Sequence, residues 1–150
     1  MVKVLIADDF EIVRVLMSYA LEKGGGIRVV AMVSNGQEAV NETITHCPDV
    51  SVLDCSMPIR DGFEAAKEIS EKCPKTRVLM ISMHRTPYHL RRSIEAGALG
   101  YVLKDDMGFE LVSAVRTLHQ GNRYFSKQVA ELAQLYIKDA EELESVQGRS

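Results

Sequence analysis

The chain has 150 residues, of which 46% are apolar and 26% are charged, and its formal net charge is −3. This length suits one domain with a hydrophobic core, and the composition is that of an ordinary globular protein. No apolar run reaches transmembrane length, the N-terminus lacks a signal-peptide pattern, and no dense Lys/Arg block argues for nucleic-acid binding.

Short aliphatic runs alternate with segments of helical period over the first 120 residues. The predicted strands are residues 2–7, 28–33, 50–53, 77–82 and 100–103. The predicted helices are residues 11–23, 34–46, 62–72, 88–96 and 108–119. This alternation predicts an α/β fold with a doubly wound, five-stranded parallel sheet that helices cover on both faces. Right-handed crossovers favour the flavodoxin-like strand order 2-1-3-4-5.

The last thirty residues extend beyond this repeating pattern. Ser126 is a candidate N-cap for a further helix over about residues 127–143. Its apolar positions fall on one face: Val129, Leu132, Ala133, Tyr136, Ala140 and Leu143. The sequence therefore predicts one compact unit over residues 1–120, a connecting segment with an amphipathic helix over residues 121–145, and a tail over residues 146–150.

Polar side chains stand at the C-terminal ends of four predicted strands. They are Asp8 and Asp9 after strand one, Asp54 after strand three, Ser82 after strand four and Lys104 after strand five. Taken singly, each has an ordinary interpretation, as a helix cap, a turn residue or a polar residue leaving a sheet. Because strands one, three, four and five are neighbours in the predicted order, the five side chains are expected to meet at one edge of the sheet.

This group predicts phosphoryl chemistry. Three carboxylates supply the hard oxygen ligands that Mg²⁺ prefers, so Asp8, Asp9 and Asp54 are candidate metal ligands. Asp54 is a candidate nucleophile toward phosphorus, which would give an aspartyl phosphate. Lys104 can balance the charge on the phosphoryl oxygens, and the Ser82 hydroxyl can donate a hydrogen bond to one of them.

The chain resembles the receiver domains of two-component response regulators from Val2 to about His119. The resemblance rests on a combination of motifs: Ala7-Asp8-Asp9, Leu53-Asp54 with Met57-Pro58 and Gly62, Ile81-Ser82, and Gly100-Tyr101-Val102-Leu103-Lys104. It implies a phosphoacceptor signalling domain rather than an enzyme, with Asp54 accepting phosphate from a sensor histidine kinase. It also implies a Mg²⁺ contact through the backbone carbonyl of Ser56, and switch roles for Ser82 and Tyr101.

A narrower resemblance is to the NarL/FixJ (LuxR-type) branch. It rests on four segments: Met83-His84, Arg91 to Ala98, Leu103-Lys104-Asp105, and Gly121-Asn122-Arg123-Tyr124-Phe125-Ser126. Members of this branch continue into a helix-turn-helix domain that regulates transcription, and no part of this sequence resembles one. We therefore expect a truncated chain, with a stand-alone receiver that acts through protein–protein contacts as the alternative. A homodimer is a candidate assembly in either case, and DNA would be bound only through the absent domain.

Two enzyme or cofactor classes fit less well. A haloacid-dehalogenase-type phosphatase also uses an Asp nucleophile, but it needs a second Asp two places later, where this chain has Ser56. A flavin or dinucleotide binder needs a glycine-rich turn after strand one, and Asp8 and Asp9 stand there instead. The three cysteines lack metal-site spacing, so we expect reduced thiols and a cytoplasmic protein without membrane contact.

Overall fold

The structure is a computed structural model that describes residues 1–147. In this range the strands are β1 (Val2–Ala7), β2 (Ile27–Val33), β3 (Val50–Asp54), β4 (Arg77–Ser82), β5 (Gly100–Leu103) and β6 (Tyr124–Phe125). The α-helices are α1 (Glu11–Glu22), α2 (Gly36–His46), α3 (Gly62–Lys72), α4 (Pro87–Glu95), α5 (Met107–His119) and α6 (Ala130–Gln147). A short 3-10 turn, Lys104–Asp106, links β5 to α5.

All neighbouring strands pair in parallel, in the order β2-β1-β3-β4-β5-β6. The predicted flavodoxin-like fold and the order of its five strands are confirmed. The sixth strand was not predicted, and it joins the sheet beside β5 with Gly100 opposite Tyr124 and Tyr101 opposite Phe125. Two residues are too few to produce an alternating pattern, so the sequence carries no periodic signal for this strand.

Both faces of the sheet are buried, which explains why the strands consist of nearly continuous apolar runs. Successive residues of one strand point to opposite faces, so Leu5 and Leu53 pack in one core layer while Ile6 and Val52 pack in the other. The first layer is covered by α2, α3, α4 and the start of α6, and the second is covered by α1 and α5.

Helix α1 has apolar side chains on two faces. Met17 and Leu21 are buried against the sheet. A second row, with the i, i+3, i+4, i+7 spacing of a helical stripe, points outward and is at least half exposed: Ile12, Val15, Leu16 and Tyr19. We call this row the α1 stripe. The spacing that identified the helix thus comes largely from its solvent-facing side.

The C-terminal helix lies against its own domain. Val129 and Ala133 are buried in the core layer that α4 also covers, whereas Leu143 near the far end is 61% exposed. The helix begins at Ala130, after a turn over residues 127–129, and the side chain of Ser126 makes its hydrogen bonds elsewhere. The predicted tail begins inside α6, and residues 148–150 lie outside the described range. No helix within residues 1–147 has both the length and the apolar character to cross a membrane.

Candidate functional site

Four adjacent strands end beside one cleft at the C-terminal edge of the sheet. Asp8 follows β1, Asp54 ends β3, Ser82 ends β4 and Lys104 follows β5. The cleft has a volume of about 440 Å³ and is lined by Asp9, Phe10, Asp54, Ser56, Ser82, Met83, His84 and Lys104. The structure therefore brings the five sequence-predicted side chains to one place, because parallel strands present their carboxyl ends at the same edge.

The three aspartates form a compact oxygen cluster. One carboxylate oxygen from each of Asp8, Asp9 and Asp54 lies within 4.8 Å of the others. Asp8 is fully buried and Asp54 is nearly so, while Asp9 is exposed. The N-cap residue of α1 is Phe10, and no side chain makes a capping hydrogen bond there, so Asp9 does not cap this helix. The backbone N–H of Phe10 donates to Asp8 Oδ1 at 2.9 Å.

Lys104 supplies the positive charge of the cluster. Its Nζ lies 2.9 Å from Asp54 Oδ2 and 3.0 Å from Asp8 Oδ2. Burial raises the pKa of Asp54 from 3.8 to about 6, although Lys104 opposes this rise. Burial also disfavours the charged form of Lys104, but the carboxylates of Asp54 and Asp8 outweigh it and raise the lysine pKa above its ordinary value. Both partners are ionised at neutral pH.

The charge and donor atoms of the cluster favour a further cation. Asp8 Oδ2 is buried and accepts no hydrogen bond of good geometry, so its contact with Lys104 is an ion pair only. A buried carboxylate oxygen without a hydrogen-bond donor is costly unless another positive group satisfies it. Three carboxylates with a single ammonium also leave a net negative charge. These donors fit a hard divalent cation that keeps some of its waters.

The two predicted switch residues meet at the loop after β4. The buried Ser82 hydroxyl accepts a hydrogen bond from the backbone N–H of His84 at 3.0 Å. The Tyr101 side chain is fully buried, and its hydroxyl donates to the carbonyl of His84 at 2.5 Å. Burial raises the pKa of Tyr101 well above its ordinary value, so its hydroxyl remains a donor. One loop residue thus links both side chains.

Two neighbours of Asp54 behave differently. The backbone N–H of Ser56 donates to Asp54 Oδ1 at 3.2 Å and so holds the carboxylate oxygen that Lys104 does not contact. Cys55 points away from the cleft, as strand alternation predicts, and its thiol packs 3.9 Å from the Ser93 hydroxyl. Burial raises the pKa of Cys55 to about 12, so this thiol is not a nucleophile at neutral pH.

Some contacts at the site have no sequence signal. Arg14 donates to the backbone carbonyl of Asp8 at 2.7 Å, and it stands on α1 without any motif around it. Phe10 lines the cleft and is 60% exposed. Both positions depend on how the chain turns from β1 into α1, which the residue pattern does not reveal.

Comparison with known proteins assigns the family. Residues 4–116 match the model of the response regulator receiver domain. The chain belongs to this family. The oxygen regulatory protein NreC of Staphylococcus epidermidis is 39% identical over 123 residues, which cover 81% of this chain and 56% of that protein. The response regulator UvrY of Escherichia coli is 34% identical over 145 residues, which cover 97% of this chain and 66% of that protein.

Solved structures agree with this receiver domain in fold and branch. A two-component response regulator of the LuxR family from Aurantimonas sp. superposes with a TM-score of 0.83 at 31% identity, covering 88% of this chain and 94% of the other. The signal receiver domain of the response regulator NarL from Mycobacterium tuberculosis gives a TM-score of 0.78 at 35% identity, covering 81% and 98%. The resemblance to the NarL/FixJ (LuxR-type) branch is thereby confirmed. The chain spans between half and two thirds of the length of NreC and UvrY.

Proposed function

We propose that this receiver domain accepts a phosphoryl group on Asp54 from a sensor histidine kinase. The observation that carries the proposal is the position of Asp54: its carboxylate lies in an open cleft, 2.9 Å from the Lys104 ammonium and within an acidic cluster. In the transfer, a bond forms between a carboxylate oxygen of Asp54 and phosphorus. The bond between phosphorus and the imidazole nitrogen of the kinase breaks, and the imidazole keeps that electron pair.

The residues around Asp54 have separate tasks in this proposal. Lys104 is close enough to contact a phosphoryl oxygen, and the Ser82 hydroxyl is a candidate donor to another. Asp8, Asp9 and the carbonyl of Ser56 would hold Mg²⁺ together with Asp54, and the ion would neutralise charge as the phosphoryl group transfers. The domain would take up and lose one phosphoryl group by its own chemistry, so we do not classify it as an enzyme.

The α1 stripe supports the proposal that the phosphoryl donor is a protein. Ile12, Leu16 and Tyr19 form an exposed apolar row on α1, and Phe10, which directly precedes this helix, is exposed and lines the cleft. Exposed apolar patches of this kind mark protein contacts. A helix of the kinase that docks on this face would be held close enough to present a phosphohistidine to Asp54.

The output is proposed to be transcriptional. We infer that phosphorylation pulls on Ser82 and the His84 loop, changes the state of Tyr101 and so alters the α4–β5–α5 surface. In a longer parent protein this change would act on a DNA-binding domain beyond α6, and the working location would be the cytoplasm. One solved structure, 26% identical, is described as two RcsB dimers bound to DNA. A dimer of this chain is proposed by analogy, and a stand-alone receiver is the alternative.

Labelling with a small phosphodonor tests the proposal. Acetyl phosphate with Mg²⁺ should add one phosphoryl mass to the intact protein, and hydroxylamine should remove it, as expected of an acyl phosphate. Asp54→Asn should abolish the label, whereas the exposed Asp105→Asn should retain it. Equal labelling of Asp54→Asn and the wild type would refute the assignment. Steady turnover of phosphomonoesters would instead favour an Asp-nucleophile phosphatase.

A further inference from the structure

The segment after α5 continues the sheet beyond the last residue of β6. Tyr124 N–H donates to the Leu99 carbonyl at 3.1 Å, and Ser126 N–H donates to the Tyr101 carbonyl at 2.9 Å. The next donor along β5 is Leu103 N–H, which is buried. It donates to the hydroxyl oxygen of Ser126 at 3.0 Å. A side-chain hydroxyl therefore completes the ladder where the backbone of the segment turns away.

The same hydroxyl has a second partner on α5. Ser126 Oγ donates to one carboxylate oxygen of Glu110 at 2.7 Å, and the Tyr124 hydroxyl donates to the other at 2.9 Å. Burial and the Glu110 carboxylate raise the pKa of Tyr124 to about 12, so its hydroxyl stays protonated at neutral pH. Ser126 is fully buried, and both oxygens of Glu110 are satisfied by the segment after α5.

The two residues that Ser126 Oγ contacts, Leu103 and Glu110, flank Lys104 in the sequence. Leu103 directly precedes the lysine, and Glu110 follows it in the first turn of α5. Both flanks of the short 3-10 turn are thus tied to one hydroxyl group, Ser126 Oγ. The ε-ammonium of Lys104 must meet two carboxylates at about hydrogen-bond distance. Its long side chain gives no such precision unless the backbone that carries it is fixed.

We propose that Ser126 and Glu110 are positioning residues for Lys104, and that the segment after α5 is therefore part of the phosphorylation machinery. This inference rests on the proposed function, because Lys104 is the phosphate-contacting group in it. Neither Ser126 nor Glu110 touches the reacting atoms. Coupling of this kind is reciprocal: a phosphoryl group that draws Lys104 forward would act on Ser126 and on the start of α6.

The test compares hydroxyl and carboxylate variants of the whole chain. Ser126→Ala removes the acceptor for Leu103 N–H, and Glu110→Ala removes the anchor on α5. Tyr124→Phe is the matched control. It removes the other hydroxyl group that donates to the Glu110 carboxylate, and it leaves the contacts of Ser126 intact. Ser126→Thr keeps the hydroxyl and should retain the wild-type affinity for beryllofluoride. Affinity for beryllofluoride with Mg²⁺ is measured by titration, and the Lys104 side-chain NMR signals are followed in protein free of phosphate analogues.

We expect Ser126→Ala and Glu110→Ala to weaken beryllofluoride binding about fivefold, the effect of one lost hydrogen bond, and to shift the Lys104 signals. The control should change the affinity less than twofold. A lower melting temperature with unchanged affinity and unchanged Lys104 signals would show a purely structural role and overturn the inference. If the wild type itself does not bind beryllofluoride, the proposed function fails, while the Lys104 signals still decide whether Ser126 positions the lysine.

Discussion

Replacing the proposed phosphoacceptor should stabilise the folded protein at neutral pH. The pKa of Asp54 is raised by burial from 3.8 to about 6 even though Lys104 stands beside it. A carboxyl group with a higher pKa in the folded than in the unfolded state opposes folding once it is ionised. Asp54→Asn removes that charge while keeping the size and shape of the side chain.

The size of the effect follows from the same pKa rise. At about 1.4 kcal/mol per pH unit, a rise from 3.8 to about 6 corresponds to roughly 3 kcal/mol. That rise is already net of the attraction of Lys104, whose ammonium keeps Asp8 as a partner in the variant, so we expect a gain of about 1–3 kcal/mol in the free energy of unfolding at pH 7.5. In the wild type, the raised pKa stabilises the folded state only while Asp54 is protonated. This contribution is complete below pH 3.8 and is lost as the pH rises through about 6. The advantage of the variant should therefore grow between pH 4 and 6 and level off near pH 7.

Urea unfolding followed by circular dichroism measures this difference. The titrations are run from pH 4 to 8 with EDTA, because a bound divalent cation would relieve the same charge repulsion. Asp105→Asn is the control, since this exposed aspartate should give a small and nearly constant difference. A variant less stable than the wild type at pH 7.5, or an advantage that does not depend on pH, would refute the reasoning from burial.

Three other perturbations test the site and its surroundings. Mg²⁺ should raise the melting temperature of the wild type in calorimetry, and Asp8→Asn should remove most of that rise; an equal rise in both would place the ion elsewhere. Lys104→Met should lower the free energy of unfolding at pH 7.5 by about 3 kcal/mol, because it leaves buried carboxylates unpaired, and it should slow labelling by acetyl phosphate. Leu16→Glu should weaken transfer from a phosphorylated histidine kinase but leave acetyl phosphate labelling unchanged. Met32→Glu, on β2, is its control, and equal losses in both variants would remove the α1 stripe from the docking surface.

Much of the fold was predictable because local and long-range signals agree. Helices α2 and α3 begin where a capping side chain stands: Asn35 accepts from Glu38 N–H at 2.8 Å, and Asp61 accepts from Glu64 N–H at 2.9 Å. Asn35 and Asp61 are residue types that the capping rules favour. Strand β6 was missed because its pairing depends on where the chain returns after α5, which no run of two residues can encode.

The site was predictable as a group but not in its internal arrangement. The rule that parallel strands end at one edge brings Asp8, Asp54 and Lys104 together whatever the details of packing. That Asp8 is buried and Asp9 exposed depends on the direction in which the chain leaves β1. Helix α1 shows the same limit: its period was visible, but the sequence did not say which of its two apolar faces would point to the core.

Ser126 shows why a local rule can give the wrong partner for a side chain. A serine shortly before an apolar helical pattern predicts an N-cap, and losing such a cap costs about 1 kcal/mol. In the folded protein the hydroxyl instead accepts from Leu103 N–H, which is buried at the end of β5. A buried N–H without a partner costs about 1–3 kcal/mol. The hydrogen bond to β5 therefore stabilises the fold more than an N-cap would. Helix α6 begins only at Ala130, after a further turn. Because the partner lies 23 residues away in sequence, the competition becomes visible only when the segment is placed against the sheet.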